Sequence, residues 1–250
     1  MAVTIKSPRE IELMRESCRL LEIVHDELGE ALHAGMTTKE VDSMGEALIR
    51  KLGGIPNFLH YNGYPASICV SVNEEVVHGI PGKRVLREGD VVSLDAGLIY
   101  KGYHSDAART YIIGEASDDI KKLVEVTKQS FFEGIKMARA GNYLYDISNA
   151  IDAYVTPFGY GIVRDLVGHG IGTSLHEDPQ IPNFAQKKHG IKLQAGMTLA
   201  VEPMISLGTY EVEFLDDDWT CVTTDGSPAA HYENTILITD GDPEILTLSH

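Results

Sequence analysis

Four carboxylates and one imidazole in this chain have the types and the placement to hold divalent cations. Asp95 closes the segment Leu86-Arg87-Glu88-Gly89-Asp90-Val91-Val92-Ser93-Leu94-Asp95. Glu202 closes the similar segment Leu193-Gln194-Ala195-Gly196-Met197-Thr198-Leu199-Ala200-Val201-Glu202. Asp106 ends His104-Ser105-Asp106, and Glu233 ends His231-Tyr232-Glu233. If the matched segments pack about a pseudo-two-fold axis, all four acids converge. Two carboxylates ~4 Å apart repel by about 4 kcal/mol at an effective dielectric of ~20. Four ionised acids must therefore lie apart, be partly protonated, or be held by cations. Cations are the preferred answer, because two divalent ions neutralise four carboxylates. Oxygen donors with an imidazole suit Mn, Fe or Co better than a structural zinc site. The imidazole candidate is His169 in Gly168-His169-Gly170-Ile171-Gly172, where flanking glycines allow close approach to a crowded centre. The run lacks the spacing of a dinucleotide loop and the lysine of a phosphate loop.

The elements that must position these residues occur twice. Ser7, Pro8 and Glu10 give a capping box with proline in the first helical turn. Ile11, Met14, Cys18, Leu21 and Leu28 follow at near-helical spacing, with Gly35 as the stop. A second helix begins at Thr38, turns Val41, Met44 and Leu48 inward, and ends at Gly53-Gly54. The plan returns 106 residues later. Ser117 caps a helix carrying Ile120, Leu123, Phe131 and Ile135 that ends near Gly141. A shorter helix with Ile147 and Ile151 inward stops at Pro157 and Gly159. In each half a glycine turn then leads to a strand ending in a carboxylate, and the His-x-acid triplets adjoin the strand-like runs 110–113 and 235–239. The order predicts an α+β chain of two pseudo-symmetric halves, roughly 1–115 and 116–250, packed as a single domain. Matched strands so close in sequence predict a mainly antiparallel sheet covered by helices. The second half carries an acidic insertion near 207–228 that contains the only tryptophan, Trp219.

Composition bounds the function. The 250 residues carry 21 basic and 37 acidic side chains, a net charge of −16, which argues against nucleic acid or an anionic membrane as partner. Three scattered cysteines, Cys18, Cys69 and Cys221, fit a reducing compartment rather than a disulfide framework. Lys6, Arg9 and Glu10 interrupt any signal peptide, and no run approaches the ~20 apolar residues of a membrane span. His25, His33, His60, His189 and His250 read as solvated or locally satisfied.

Five motifs together resemble one family over essentially the whole chain. They are Asn73-Glu74-Glu75-Val76-Val77-His78-Gly79-Ile80-Pro81, Ser93-Leu94-Asp95-Ala96-Gly97, the glycine-flanked His169 run, Val201-Glu202-Pro203-Met204 and Tyr232-Glu233-Asn234-Thr235. The chain resembles a type I methionine aminopeptidase, a family with the pita-bread fold. That resemblance implies two divalent metal ions (Mn, Fe or Co, with Zn as a further option) held by Asp95, Asp106, His169, Glu202 and Glu233. Asp106 and Glu233 would bridge, Asp95 would chelate one ion, and His169 and Glu202 would hold the other. It also implies that His78 and His176 lie beside the scissile peptide and that Glu202 doubles as proton shuttle. A methionine pocket would be lined by Tyr61, Tyr64, Cys69 and Trp219, with Phe58 nearby.

Further expectations come with the family. The substrates would be N-termini of nascent proteins and peptides, with a small second residue preferred. A transient ribosome contact, a monomeric state and a cytoplasmic location are implied. The chain itself begins Met1-Ala2-Val3, a sequence such an enzyme would process. Phe58 and Leu175 depart from the residues common in the family, which bears on fine substrate preference. Proline-specific pita-bread hydrolases usually add a large N-terminal domain that 250 residues do not accommodate. Glu202 follows His169 by only 33 positions, too few for the insertion of a type II enzyme. A binding module that has lost catalysis would be expected to lack some of the five positions. A carboxylate-rich calcium protein would not need His169, and no EF-hand loop is present.

Overall fold

A computed structural model describes residues 3–248. Met1, Ala2 and His250, named above, lie outside the described residues. The capping signals set the first helices as expected. Helix α1 spans Pro8–Ala31, and the Ser7 side chain and Glu10 form the reciprocal capping box. It ends at Leu32 rather than at Gly35, because Leu32 turns extended; Gly35, with φ +97°, serves the following turn. Helix α2 spans Thr38–Lys51, starting at Thr38 as expected, and is capped by Thr37; the Thr38 hydroxyl bonds the Gly82 carbonyl.

Strands β1 (Ile55–Pro56), β2 (Ile68–Val72), β3 (Glu75–Val77), β4 (Val91–Tyr100) and β5 (Tyr103–Ile112) complete the first half. The second half repeats the plan with α3 (Asp118–Ile135, capped by Ser117) and α4 (Leu144–Val155). Helix α3 stops short of Gly141, and the intervening residues form tight turns with Met137 N–H on Gly134 and Ala138 N–H on Ile135. Then come β6 (Gly161–Ile162), β7 (Gly168–Gly170), β8 (Glu177–Ile181), β9 (Thr198–Val201) and β10 (Met204–Ser206). The acidic insertion forms a hairpin of β11 (Val212–Phe214) and β12 (Cys221–Thr223). Strands β13 (Ala229–His231), β14 (Glu233–Leu237) and β15 (Glu244–Ile245) follow.

One sheet runs β1-β4-β5-β14-β9-β7-β8, with β2 on β4 and β15 on β14. Every pairing in it is antiparallel. Two three-stranded sheets, β13-β10-β6 and β11-β12-β3, flank it. Two apolar cores cover it. Leu21, Val24 and Leu28 of α1 pack with Val41 and Ile49 of α2 against Val70, Leu94 and Ala107. Leu123 and Phe131 of α3 pack with Ile147 and Ile151 of α4 against Leu199, Val201 and Ile236. The two clusters are the packing counterpart of the sequence repeat.

Asp95 and Glu202 do not end equivalent strands. Strand β4 continues five residues past Asp95, because it pairs with β5 over the full length of both, closed by the Lys101-Gly102 turn. Asp95 and Asp106 are consequently mid-strand, and the His104-Ser105-Asp106 triplet lies inside β5. Glu202 does follow the last residue of its strand, β9.

His25, read as a solvated or locally satisfied histidine, is instead buried and bonded through one ring nitrogen to a distant strand. It is 2% exposed, and its Nε2–H donates to the Ala107 carbonyl at 2.8 Å, tying α1 to β5 beside Asp106. Burial, with Arg109 nearby, pushes its pKa down to about 3. The unfolded chain takes up this proton near pH 6.5, whereas the native state does not, so native stability falls as pH drops below 6.5. By pH 4.5 this amounts to roughly 2–3 kcal/mol. His25→Gln keeps an N–H donor without titrating. Urea denaturation at pH 7 and 4.5 should show a smaller acid loss for the variant than for wild type by about that amount.

Candidate metal centre and active site

Sheet register explains how residues far apart in sequence converge. Side chains on directly opposite residues share a face, as do residues two apart along a strand. Cys69 on β2 faces Asp95 on β4, Asp95 faces Ala108 on β5, and Ala108 faces Glu233 on β14. Asp106 is two residues from Ala108 and so points to the same side. His169 on β7 faces Ala200 on β9, and Ala200 faces Thr235 on β14, two residues from Glu233. Ala108 and Ala200, both fully buried, leave space where larger side chains would fill the centre.

The glycines around His169 have a steric reason. A Cβ on Gly168 would lie 2.4 Å from the Ala200 carbonyl oxygen, and one on Gly170 would lie 2.2 Å from that of Asp178. Only glycine lets β7 lie this close to its neighbours. The His169 ring Nδ1 is 2.8 Å from its neighbour's carbonyl, Gly170 O. That bond fixes the proton on Nδ1 and leaves Nε2 as the inward lone pair, the usual support for a metal-binding imidazole. Nε2 lies 3.6 Å from Asp106 Oδ2 and 3.7 Å from Glu202 Oε1.

The electrostatics of the centre are unfavourable without a cation. Asp95, Asp106 and Glu233 are buried. Asp95 Oδ1, Asp106 Oδ1 and Glu233 Oε1 have no hydrogen-bond partner among the described residues. Burial first, then the Asp106 and Glu202 charges, push the Asp95 carboxyl well above its usual range. Glu233 is raised well above its range in the same way, with Asp106, Glu202 and Asp95 as the repelling neighbours. Asp106 is raised by burial against the opposing pull of His169. Burial disfavours charge on His169, but Asp106 and Glu202 outweigh it and raise its pKa. Orphaned buried oxygens that repel one another are what a cation would satisfy. Asp106, His169 and Glu233 each place a donor atom within 4.8 Å of the others, and so do Asp95, His231 and Glu233. Glu233 is common to both groups.

A cavity of about 150 Å³ opens onto these acids. All five candidate ligands line it, together with Phe58, Tyr61, Tyr64, Cys69, His78, His176 and Trp219. The structure thus brings together every site residue named from the sequence. Asn62 also lines the cavity, and Leu175 belongs to the same wall. Trp219, carried by the β11–β12 hairpin, meets Tyr64 edge-on with ring centroids 5.1 Å apart. The Tyr64 hydroxyl donates to the Gly79 carbonyl at 3.0 Å. Cys69 is 3% exposed, and burial, with Asp95 opposite, keeps its thiol protonated.

The two helper histidines are held differently. His78 follows β3 in a left-handed conformation, φ +59°, an uncommon backbone state for a residue with a Cβ. Its pKa is lowered by burial. His176 precedes β8, and its Nδ1 lies 2.7 Å from the Tyr61 hydroxyl. Burial and the neighbouring His169 push His176 down to about 4, so its ring is neutral near pH 7. The residue that sequence reasoning missed is His231. Its Nε2 lies 3.6 Å from Glu202 Oε2 and 3.8 Å from Glu233 Oε2. The match of His104-Ser105-Asp106 with His231-Tyr232-Glu233 flagged the position, but the first member of that match misleads. His104 has Asn57 as its neighbour at 3.5 Å and does not line the cavity.

The model of metallopeptidase family M24 matches residues 12–240. The methionine aminopeptidase of Clostridium acetobutylicum is 53% identical over 247 residues, covering 98% of this chain and 99% of its own. The chain belongs to the methionine aminopeptidases of family M24. Bacillus subtilis methionine aminopeptidase 1 is 49% identical over 245 residues, with 98% and 99% coverage. The crystal structure of methionine aminopeptidase from Thermotoga maritima matches with a TM-score of 0.97 at 45% identity, over 99% of this chain and 100% of that one. The fold is therefore the α+β pita-bread fold. Membership of a metallopeptidase family implies divalent metal, which the orphaned donors fit. Among the described residues, no helix is long and apolar enough to cross a membrane.

The raised carboxyls carry a stability consequence. An acid whose pKa is raised on folding binds its proton more tightly in the native state, so its penalty appears as pH rises above the unfolded value near 4. Asp95→Asn removes that penalty. In chelator at pH 7.5 the variant should melt a few degrees above wild type, at about 2–4 °C per kcal/mol for a chain of this size. The difference should shrink at pH 4, and the rise in melting temperature on adding Mn²⁺ should be smaller in the variant. Differential scanning calorimetry reads all three.

Proposed function

We propose that this chain removes N-terminal methionine from proteins and peptides, preferring a small second residue, with two divalent ions held by Asp95, Asp106, His169, Glu202 and Glu233. The observation that carries the reading is the sharing of Glu233 between two donor groups at the floor of an aromatic pocket. Asp106 suits the second bridging position, because it neighbours both Asp95 and His169. Oxygen donors with imidazole favour Mn, Fe or Co, with Zn as the alternative. When bound, such ions polarise the scissile carbonyl and lower the pKa of a water.

The chain's own residues account for the remaining roles. Glu202 is the proton shuttle: its side chain is 13% exposed, whereas Glu233 is at 2%. It takes a proton from water at its carboxylate and returns it to the leaving amine. His176 is neutral, and with Tyr61 donating to Nδ1 its proton sits on Nε2. That N–H faces the developing oxyanion as a pre-placed donor. His78 orients the peptide through the leaving nitrogen or the second residue. Tyr64, Cys69 and Trp219 take the methionine side chain, whose polarisable sulfur favours aromatic and thiol contacts. The free α-amine meets the acidic cluster, which supports action at chain ends. We take the chain as one catalytic unit with halves meeting near residue 115. Its place would be the cytoplasm, acting as a monomer on nascent chains with a transient ribosome contact.

The test is methionine release from Met-Ala-Ser after chelation and stepwise return of Mn²⁺, Co²⁺, Fe²⁺ and Zn²⁺. Activity should vanish with chelator and return with a second ion equivalent. Asp106→Ala and Glu233→Ala should each lower turnover by at least ~100-fold. Wild-type turnover by either variant, or faster cleavage of Xaa-Pro peptides, would reject the assignment.

A further inference from the structure

His231 is the buried group that the five-residue metal set leaves unexplained. It ends β13, and its backbone is pinned to Thr110: His231 N–H donates to the Thr110 hydroxyl at 2.9 Å, and that hydroxyl donates to the His231 carbonyl at 2.8 Å. The residue is 1% exposed, and neither ring nitrogen has a hydrogen-bond partner among the described residues. An imidazole buried this completely costs free energy unless something meets its nitrogens.

The distances identify what meets Nε2. At 3.6 Å from Glu202 Oε2 and 3.8 Å from Glu233 Oε2, the separations are too long for hydrogen bonds. They are close to those of neighbouring donors around one ion, which sit ~3.0–3.5 Å apart when each is ~2.1 Å from the metal. Asp95 supplies the third donor, since Asp95, His231 and Glu233 place ligand atoms within 4.8 Å of one another. The ring also borders a separate cavity of about 160 Å³ lined in part by Thr110, Lys128 and Tyr232. That space has room for a water to accept the other ring N–H.

We propose that His231 supplies a nitrogen ligand to the Asp95–Glu233 metal position, so that each ion has one imidazole. The inference rests on the two-ion reading above. In that reading the Asp95 position is bound by oxygen alone, and His169 is the sole nitrogen donor. A nitrogen at the Asp95 position favours later transition ions over Mn²⁺ there.

Two measurements on the full chain test this. Proton NMR of the Co²⁺-loaded wild-type protein should show two exchangeable, hyperfine-shifted imidazole N–H signals, and His231→Gln should lose one of them. Calorimetric titration of the metal-free proteins with Co²⁺ should give two events in wild type, one of them weakened at least ~10-fold in His231→Gln with the other unchanged. The loss should be smaller for Mn²⁺ than for Co²⁺. Two ions bound but a single imidazole signal in wild type would overturn the ligand role while leaving the two-ion reading intact. Unchanged Co²⁺ affinities in a folded His231→Gln would do the same. Fewer than two ions on wild type would remove the two-ion reading and this inference with it. The wild-type spectrum alone decides the matter if the variant does not fold.

Discussion

Four acids gathered at one face of a sheet, three of them buried, set the terms for the rest of this molecule. Carboxylates are seldom buried without a partner, and Asp95, Asp106 and Glu233 each keep an oxygen that nothing among the described residues satisfies. The cost is borne by the surrounding packing. Two apolar clusters, one per half, press the helices onto the outer face of the sheet, and the acids project from the opposite face. Hydrogen-bonded strands hold the centre, which limits how far the donors can relax away from one another. A cation converts this repulsion into attraction, which couples metal binding to the stability of the whole fold.

The rigidity of the arrangement comes from register. In a long β4–β5 hairpin paired at ten positions, a one-residue slip would put Asp95 and Asp106 on opposite faces of the sheet. The glycines beside His169 guard against the same failure from the other half, since any side chain there would push β7 off its neighbours. Small residues at Ala108 and Ala200 complete the scheme. The centre is thus specified as much by what is small as by what is charged.

Much of this was legible in the sequence, because duplication writes the same helical and strand signals twice. The capping residues Ser7 and Ser117, the core positions of four helices and the convergence of the four acids follow from patterns of spacing. Three features did not. Asp95 sits mid-strand because the hairpin with β5 extends β4 to the Lys101-Gly102 turn, and the repeat, which matches segments ending in a carboxylate, does not include that turn. The pocket contributions of Cys69 and Trp219 came only through resemblance, since a buried thiol and a tryptophan after three aspartates have no local chemistry to declare. His231 was obscured by its own repeat mate. His104 occupies the matching triplet yet turns toward Asn57, so symmetry pointed away from the metal centre rather than toward it.

The row of side chains from Cys69 through Asp95 and Ala108 to Glu233 also bears on specificity. It crosses four adjacent strands, which at ~4.8 Å per strand spans roughly 14 Å. Cys69 is a wall of the side-chain pocket, and Glu233 lies at the heart of the acidic cluster. Pocket and cluster are therefore fixed relative to each other by backbone hydrogen bonds, not by mobile loops. In the binding mode proposed above, an α-amine at the acids and a side chain beside Cys69 would leave little freedom for the first peptide bond. Trp219 closes the pocket from a different sheet, on the hairpin that only the second half possesses. The symmetric framework thus supplies the charges, and the asymmetric insertion supplies an aromatic wall of the cavity beside them.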